Sequence, residues 1–180
     1  MAGKIFAFEP LPENQSLLQD SIAANRLTEI VTVIPLALAD REGSQKIYIH
    51  GSLDRALLES ALDGQDVTKD RGVIVSTTTL DSFVFAGRNP APHILKIDVE
   101  GAEYFILEGG LRTLKEFSPK ILLEIHGPNN AHKIWDILRD FQYRWMNLTP
   151  RGRKAISSEG ELLSLFSPRA WTPHFLLDRS

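Results

Sequence analysis

The chain has 180 residues, enough for a single domain with a sizeable core. Its formal net charge of -3 gives no electrostatic reason for it to bind nucleic acid or an anionic membrane surface. It contains no cysteine, so disulfides, thiolate metal sites and a cysteine nucleophile are excluded.

Apolar patterning in the first half of the chain predicts strands and one long helix. Residues 4–8 form an aromatic-rich apolar run typical of a buried strand, and residues 12–25 carry a one-sided apolar stripe that begins with a proline. The β-branched run 30–38 predicts a second buried strand, with an edge or a kink at Pro35. The elements that follow are a turn at 40–43, an exposed strand at 45–49, a surface excursion at 51–72, a strand at 73–79 and a short helix or turn at 80–83.

Strands and helices alternate more regularly in the second half. Its predicted elements are a buried strand at 94–98, a helix at 102–117, a strand at 121–125, a helix at 130–141, and strands at 143–148 and 174–177. Alternation of this kind implies βαβ units and a mostly parallel sheet with helices on both faces. The sequence therefore predicts an α/β fold in one domain that covers residues 1–180.

The sequence has no visible signal peptide or membrane span. Residues 1–10 run straight into the first predicted strand, and the apolar runs are too short to cross a bilayer. We therefore expect a cytoplasmic protein.

Polar residues that follow the apolar runs are the natural candidates for a site, because ligands bind at the carboxyl ends of parallel strands. These residues are Glu9, Asp40, Asp98, Glu100, Glu124 and His126. Glu9 can accept hydrogen bonds from the two hydroxyls of a ribose. Alternatively, it is an acidic residue favoured by the dipole of the helix that follows.

The densest group of charges lies between Lys96 and Glu103, at a predicted strand-to-helix junction. Like charges so close together are costly without partners, and the exposed N–H groups at a helix start offset part of that cost. One interpretation is a well-capped helix start. The other is that Asp98 faces a ligand crevice while Glu100 and Glu103 hold the turn or the substrate.

Glu124 lies inside an apolar strand and needs a partner, because burial of an unpaired charge is costly. Lys96 on the neighbouring strand is the predicted partner, and a catalytic role for Glu124 is the alternative. His126 follows the same strand and is either a base that works near neutral pH or a plain polar cap. Asp98, Glu100 and His126 could ligate a hard divalent ion, but we expect no metal here.

Several motifs, in this order, resemble the signature of FkbM-type methyltransferases over about residues 4–126. They are FAFEP at 6–10, PEN at 12–14, Asn25, ALADREG at 37–43, ILKIDVEGAE at 94–103, LEG at 107–109 and PKILLE at 119–124. The resemblance implies a Rossmann-like class I methyltransferase sheet and S-adenosyl-L-methionine as the cofactor. It also implies methyl transfer to oxygen, often to a hydroxyl of a sugar or natural product.

The resemblance also implies roles for individual residues. Glu9 would bind the cofactor ribose, while Leu38, Ala39 and Asp40 would lie near the adenine. Asp98 would stand beside the reacting methyl group, and His126 is the candidate base for the hydroxyl proton. Glu100, Glu103, Lys96 and Glu124 would support the turn or the substrate. The expected partner is a small molecule or glycan, with no nucleic acid and no membrane.

The sequence departs from the family at its beginning. Family members carry, before the Glu9 strand, a first strand that ends in an acidic residue and a glycine-rich turn, and this chain begins after both. That strand is the centre of the family's sheet, between the Glu9 and Asp98 strands. We expect these two strands either to pair directly or to leave an unpaired gap. In both cases we expect a truncated protein of low stability with weak cofactor binding, and an uncovered strand edge that favours a homodimer.

Two functional hypotheses remain open from the sequence. The first is an O-methyltransferase that is complete only with upstream sequence. The second is a non-catalytic remnant of a methyltransferase that acts as a binding or scaffolding module. A dehydrogenase is disfavoured, because the sequence contains no Gly-x-Gly-x-x-Gly motif.

Overall fold

The computed structural model of the chain describes residues 3–49, 56–58, 71–166 and 172–179. Its helices are α1 (Pro12–Ala24), α2 (Glu103–Glu108), α3 (Leu111–Phe117), α4 (Pro128–Leu138) and α5 (Glu159–Leu163), with a π-helical turn at Ser82–Ala86 and a 3₁₀ turn at Arg139–Phe141. Its strands are β1 (Ile5–Phe8), β2 (Val31–Ile34), β3 (Ala37–Leu38), β4 (Gly43–Ile49), β5 (Ala56–Leu58), β6 (Arg71–Thr78), β7 (Ile94–Ile97), β8 (Lys120–Glu124), β9 (Arg144–Thr149), β10 (Gly152–Ile156) and β11 (His174–Asp178).

The α/β class is confirmed, but the prediction of one mostly parallel sheet is not. The largest sheet has the order β10-β9-β11-β8-β7, in which β7 and β8 are parallel and the remaining pairs are antiparallel. A second sheet has the order β3-β6-β4-β5 and is also mixed, while β1 and β2 form a separate parallel pair. The tight turn between β9 and β10 is one cause, because a short turn joins only antiparallel strands.

The first and seventh strands do not pair with each other. Within the described residues, β1 pairs with β2 and β7 pairs with β8, so the arrangement with an unpaired gap is the one observed. Ile5 on β1 is 53% exposed and Ile94 on β7 is 67% exposed, although both strands were predicted to be buried. Leu11, which follows β1, and Ala102, which follows β7, nevertheless belong to one apolar cluster.

Two predicted elements are divided in the structure. The strand at 30–38 becomes β2 and β3 in different sheets, with the break at Pro35 where a kink was expected. The helix at 102–117 becomes α2 and α3, with the break at Gly109 and Gly110. An added Cβ at Gly109 would lie 2.1 Å from the carbonyl oxygen of Ala39, so this junction packs directly on backbone. The division is therefore a consequence of tertiary packing.

Asp81 sets the start of α3 from a distant part of the chain. Its Oδ1 accepts hydrogen bonds of 2.7 Å from both the backbone N–H and the hydroxyl of Thr113. Its Oδ2 accepts one of 3.0 Å from the backbone N–H of Arg112. The carboxylate thus satisfies N–H groups that the first turn of a helix leaves without partners.

The remaining predicted elements match with small shifts of boundary. The strand predicted at 45–49 as exposed has one buried face, since Ile47 and Ile49 are in the core. Two elements, β10 and α5, were not predicted. Most of the predicted excursion at 51–72 lies outside the described residues.

The main core lies between the largest sheet and its helices. Fully buried residues of β8 and β11 meet those of α2, α3, α4 and α5; they include Leu123, Phe175, Leu107, Leu114, Leu138 and Leu162. None of the helices in the described ranges combines the length and the apolar character that a membrane span requires.

We expect Gly109→Ala to lower the free energy of unfolding by about 1–3 kcal/mol, because the new methyl group meets the backbone of Ala39, which cannot give way. Gly160→Ala is the matched control, since the nearest atom to its added Cβ is the Ser158 hydroxyl at 4.0 Å. Urea unfolding of both variants checks this. Equal stability of the two variants would contradict the close packing at Gly109.

Candidate functional site

Glu103 is a fully buried carboxylate at the start of α2. Its Oε1 lies 2.6 Å from Nδ1 of His126 and 3.1 Å from the backbone N–H of Gly101. Its Oε2 accepts a hydrogen bond from the side-chain amide of Asn130 on α4. These contacts satisfy a charge that would otherwise be costly to bury.

His126 lies just after β8 and is held between carboxylates. Because Glu103 accepts at Nδ1, the second ring nitrogen, Nε2, faces the remaining acidic groups. It lies 3.8 Å from Oε2 of Glu100 and 3.6 Å from Oε1 of Glu124. Burial by itself lowers the pKa of His126, but the hydrogen bond to Glu103 and the negative charges of Glu103, Glu100 and Glu124 outweigh it, so the pKa is raised.

The loop between β7 and α2 places Glu100 at this position. Its backbone is in the left-handed region at Glu100, with φ of 40°, and at Gly101, with φ of 95°. Such a conformation is unfavourable for most non-glycine residues, so the contacts of this turn hold Glu100 in it.

Lys96 pairs with Asp98, not with Glu124 as the sequence predicted. Its ammonium lies 2.8 Å from Oδ2 of Asp98. The register explains the difference, because Lys96 is opposite Leu122 in the sheet, two residues before Glu124. Partial burial opposes ionisation of Asp98, but the hydrogen bond and charge of Lys96, with the charges of His126 and His174, lower its pKa below the usual value.

Glu124 pairs instead with His174, the first residue of β11. The two residues are opposite each other in the antiparallel pair of β11 and β8, and Nε2 of His174 lies 2.8 Å from Oε2 of Glu124. Sequence analysis did not single out His174, nor Asn130 beside Glu103. Pairing of β11 with β8 was the signal that could have found His174, and no local pattern reveals that pairing.

Three possible metal ligands lie together at the site. One ligand atom from each of Asp98, Glu124 and His126 lies within 4.8 Å of the others. Both carboxylates already have a basic partner, Lys96 for Asp98 and His174 for Glu124. The expectation that the site holds no metal stays a prediction.

Asp40 presents a different feature, in the loop after β3. Its Oδ2 pairs with Arg41 at 3.0 Å, while its buried Oδ1 has no hydrogen-bond partner among the described residues. Burial raises the pKa of Tyr104, and the charge and hydrogen bond of Glu108 and the charge of Asp40 raise it further. A buried acceptor without a donor is unfavourable by about 1–3 kcal/mol, so Oδ1 is suited to a donor from a ligand.

The other residues predicted to hold a cofactor contact other residues of the chain. The carboxylate of Glu9 accepts hydrogen bonds from the backbone N–H of Leu11 at 2.8 Å and from the Asn14 amide at 3.4 Å, at the start of α1. This matches the alternative, structural interpretation of Glu9; its ribose role stays a prediction. Ala39 is fully buried against Gly109, and Leu38 is half-buried in β3.

Comparison with known proteins places the chain among methyltransferases. The model of the methyltransferase FkbM domain matches residues 1–145. Hexuronic acid methyltransferase AglP of Haloferax volcanii is 30% identical over 137 residues, which are 76% of this chain and 53% of that protein. The chain therefore spans about half the length of the curated relative it matches.

A solved structure has the same fold. The crystal structure of methyltransferase FkbM from Methylobacillus flagellatus KT superposes with a TM-score of 0.60 at 16% identity. The superposition covers 97% of this chain and 36% of that chain.

We expect Glu103→Gln to lower the pKa of His126, because the change removes the buried negative charge but keeps an oxygen for Nδ1. Titration of the histidine rings by NMR measures this. The matched control is Glu159→Gln, since the hydrogen bond that His132 donates to Glu159 raises the pKa of the exposed His132. Each variant should lower the pKa of its own histidine only. An unchanged pKa of His126 in Glu103→Gln would contradict the described pairing.

Proposed function

Because the chain belongs to the FkbM methyltransferase family, we propose that it transfers a methyl group from S-adenosylmethionine to a hydroxyl of a sugar or similar small molecule. The observation that carries the proposal is the pair of His126 and buried Glu103, placed where β7 and β8 end. A sugar is the favoured acceptor because the relative AglP is named for a hexuronic acid.

The cofactor fits the residues at Asp40. The exocyclic amine of adenine is an N–H donor, and Oδ1 of Asp40 is a buried acceptor that lacks one. Glu9 would take the ribose hydroxyls with lone pairs that Leu11 and Asn14 leave available, since each carboxylate oxygen can accept more than one hydrogen bond. When bound, the cofactor supplies an electrophilic methyl group on a sulfonium.

The acceptor hydroxyl would bind at Nε2 of His126. Glu103 holds Nδ1, which fixes the ring so that Nε2 points toward Glu100 and Glu124. Asp98, whose pKa is lowered, would stay ionised and would favour binding of the positively charged sulfonium. The neutral ring of His126 accepts the hydroxyl proton as the oxygen attacks, and the positioning of oxygen and methyl group supplies much of the rate.

The alternative is a remnant that binds without turnover. The same residues would then hold a nucleoside or a glycan, and substitution of His126 would alter binding alone. Measurement of methyl transfer separates the two functions.

Incubation with S-adenosylmethionine labelled in its methyl group, at concentrations up to the millimolar range, should transfer label to a simple methyl glycoside. We expect His126→Gln to lower the rate by about 10²- to 10⁴-fold, the usual contribution of a general base. His132→Gln is the matched control and should leave the rate unchanged. The rate should rise with pH, because only the neutral ring accepts a proton, with a midpoint above the ordinary pKa of histidine. Absence of any label transfer would contradict the proposal and favour the remnant.

A further inference from the structure

The charges around His126 select the kind of acceptor. We propose that the site takes an uncharged polyhydroxylated acceptor and makes a methyl ether, and that Glu100 and Glu124 exclude acceptors that carry a carboxylate. This inference rests on the proposed function and deepens it. By this inference, the chain differs in its acceptor from the relative AglP, which is named for an acidic sugar.

A hexuronic acid offers two chemically different oxygens to a methyl donor. Its carboxylate is already a nucleophile, so its methylation to an ester needs no base, and its negative charge needs cationic donors to hold it. A sugar hydroxyl is a weak nucleophile that needs a base for its proton, and it donates hydrogen bonds that carboxylates accept. The charges of a site therefore indicate which oxygen it serves.

The surroundings of His126 suit the hydroxyl. Oε2 of Glu100 and Oε1 of Glu124 lie 3.8 and 3.6 Å from Nε2, so a hydroxyl at this nitrogen has two carboxylate acceptors close by. A carboxylate at the same place would stand within a few ångströms of two like charges. Juxtaposed like charges are a common means by which a site rejects the wrong ligand.

The basic side chains that lie against these groups already have acidic partners. Lys96 faces Asp98 at 2.8 Å, and Nε2 of His174 lies 2.8 Å from Glu124. The ring of His126 is held by Glu103 through Nδ1, and its Nε2 faces Glu100 and Glu124. In the described part of the site, a bound carboxylate would thus have to displace an acidic partner to gain a basic one.

The transfer step balances with the groups named. The acceptor oxygen forms a bond to the methyl carbon, and the carbon–sulfur bond breaks with its electron pair left on sulfur, which becomes a neutral thioether. The hydroxyl proton passes to Nε2 of His126, and from there to solvent. The product is an ether.

Competition between methyl glucoside and methyl glucuronide, which differ by one carboxylate, tests the inference. We expect kcat/KM to favour the glucoside by about tenfold or more. The labelled product should resist mild alkali, which cleaves methyl esters but leaves methyl ethers intact. Glu100→Gln and Glu124→Gln should each narrow the preference for the glucoside, whereas Glu116→Gln on the surface of α3 should leave it unchanged.

Failure of the inference and failure of the proposed function give different results. Preference for the glucuronide, or an alkali-labile product, would overturn the inference while methyl transfer itself stands. Absence of transfer to both acceptors would overturn the proposed function. Saturation-transfer NMR gives a readout without turnover, in which the glucoside should bind; a glucuronide that binds in its place would overturn the inference even in an inactive chain.

Discussion

The buried carboxylate of Glu103 is the constraint on which the site depends. It is fully buried, and its partners come from three parts of the chain: the turn before α2, the end of β8 and the start of α4. Loss of a partner would leave a buried charge without compensation, so these three segments are held in one arrangement. The ring of His126 takes its orientation from this arrangement.

The electrostatics of the site follow from that orientation. With Nδ1 fixed on Glu103, Nε2 lies 3.8 Å from Glu100 and 3.6 Å from Glu124. Burial lowers the pKa of His126, but the hydrogen bond and charge of Glu103, with the smaller effects of Glu100 and Glu124, raise it. If His126 is the base, its raised pKa means that a higher pH is needed to make the ring neutral than for an ordinary histidine. The proposed base, its pH dependence and the proposed preference for an uncharged acceptor would then all depend on the carboxylates around His126.

The mixed character of the largest sheet also contributes to the site. β11 enters antiparallel between β8 and β9, and this places His174 opposite Glu124. A purely parallel sheet would end with strands that run the same way, and Glu124 would need another counter-ion. Glu124 contacts His174, and Lys96 pairs with Asp98.

Sequence patterns were sufficient for local structure but not for pairing. The apolar runs identified β1, β7 and β8 as strands, although β1 and β7 are less buried than those runs predicted. The junction at 96–103 and the residue His126 were found because charge is rarely placed at a strand end without reason. The Lys96–Glu124 pair was wrong because sheet register decides which residues face each other. The division of the helix at Gly109 was missed although Gly109 and Gly110 weaken a helix locally, and the Ala39 carbonyl that packs against Gly109 lies far away in the sequence.

The proposed function requires Asp40 to meet the nucleoside of the cofactor and His126 to meet the acceptor hydroxyl. The most direct test is a crystal structure of the protein with S-adenosylhomocysteine and a neutral methyl glycoside. The account requires the adenine amine within hydrogen-bond distance of Oδ1 of Asp40, and a glycoside hydroxyl on Nε2 of His126. A nucleoside bound away from Asp40, or a glycoside whose hydroxyls all lie out of reach of His126, would contradict it.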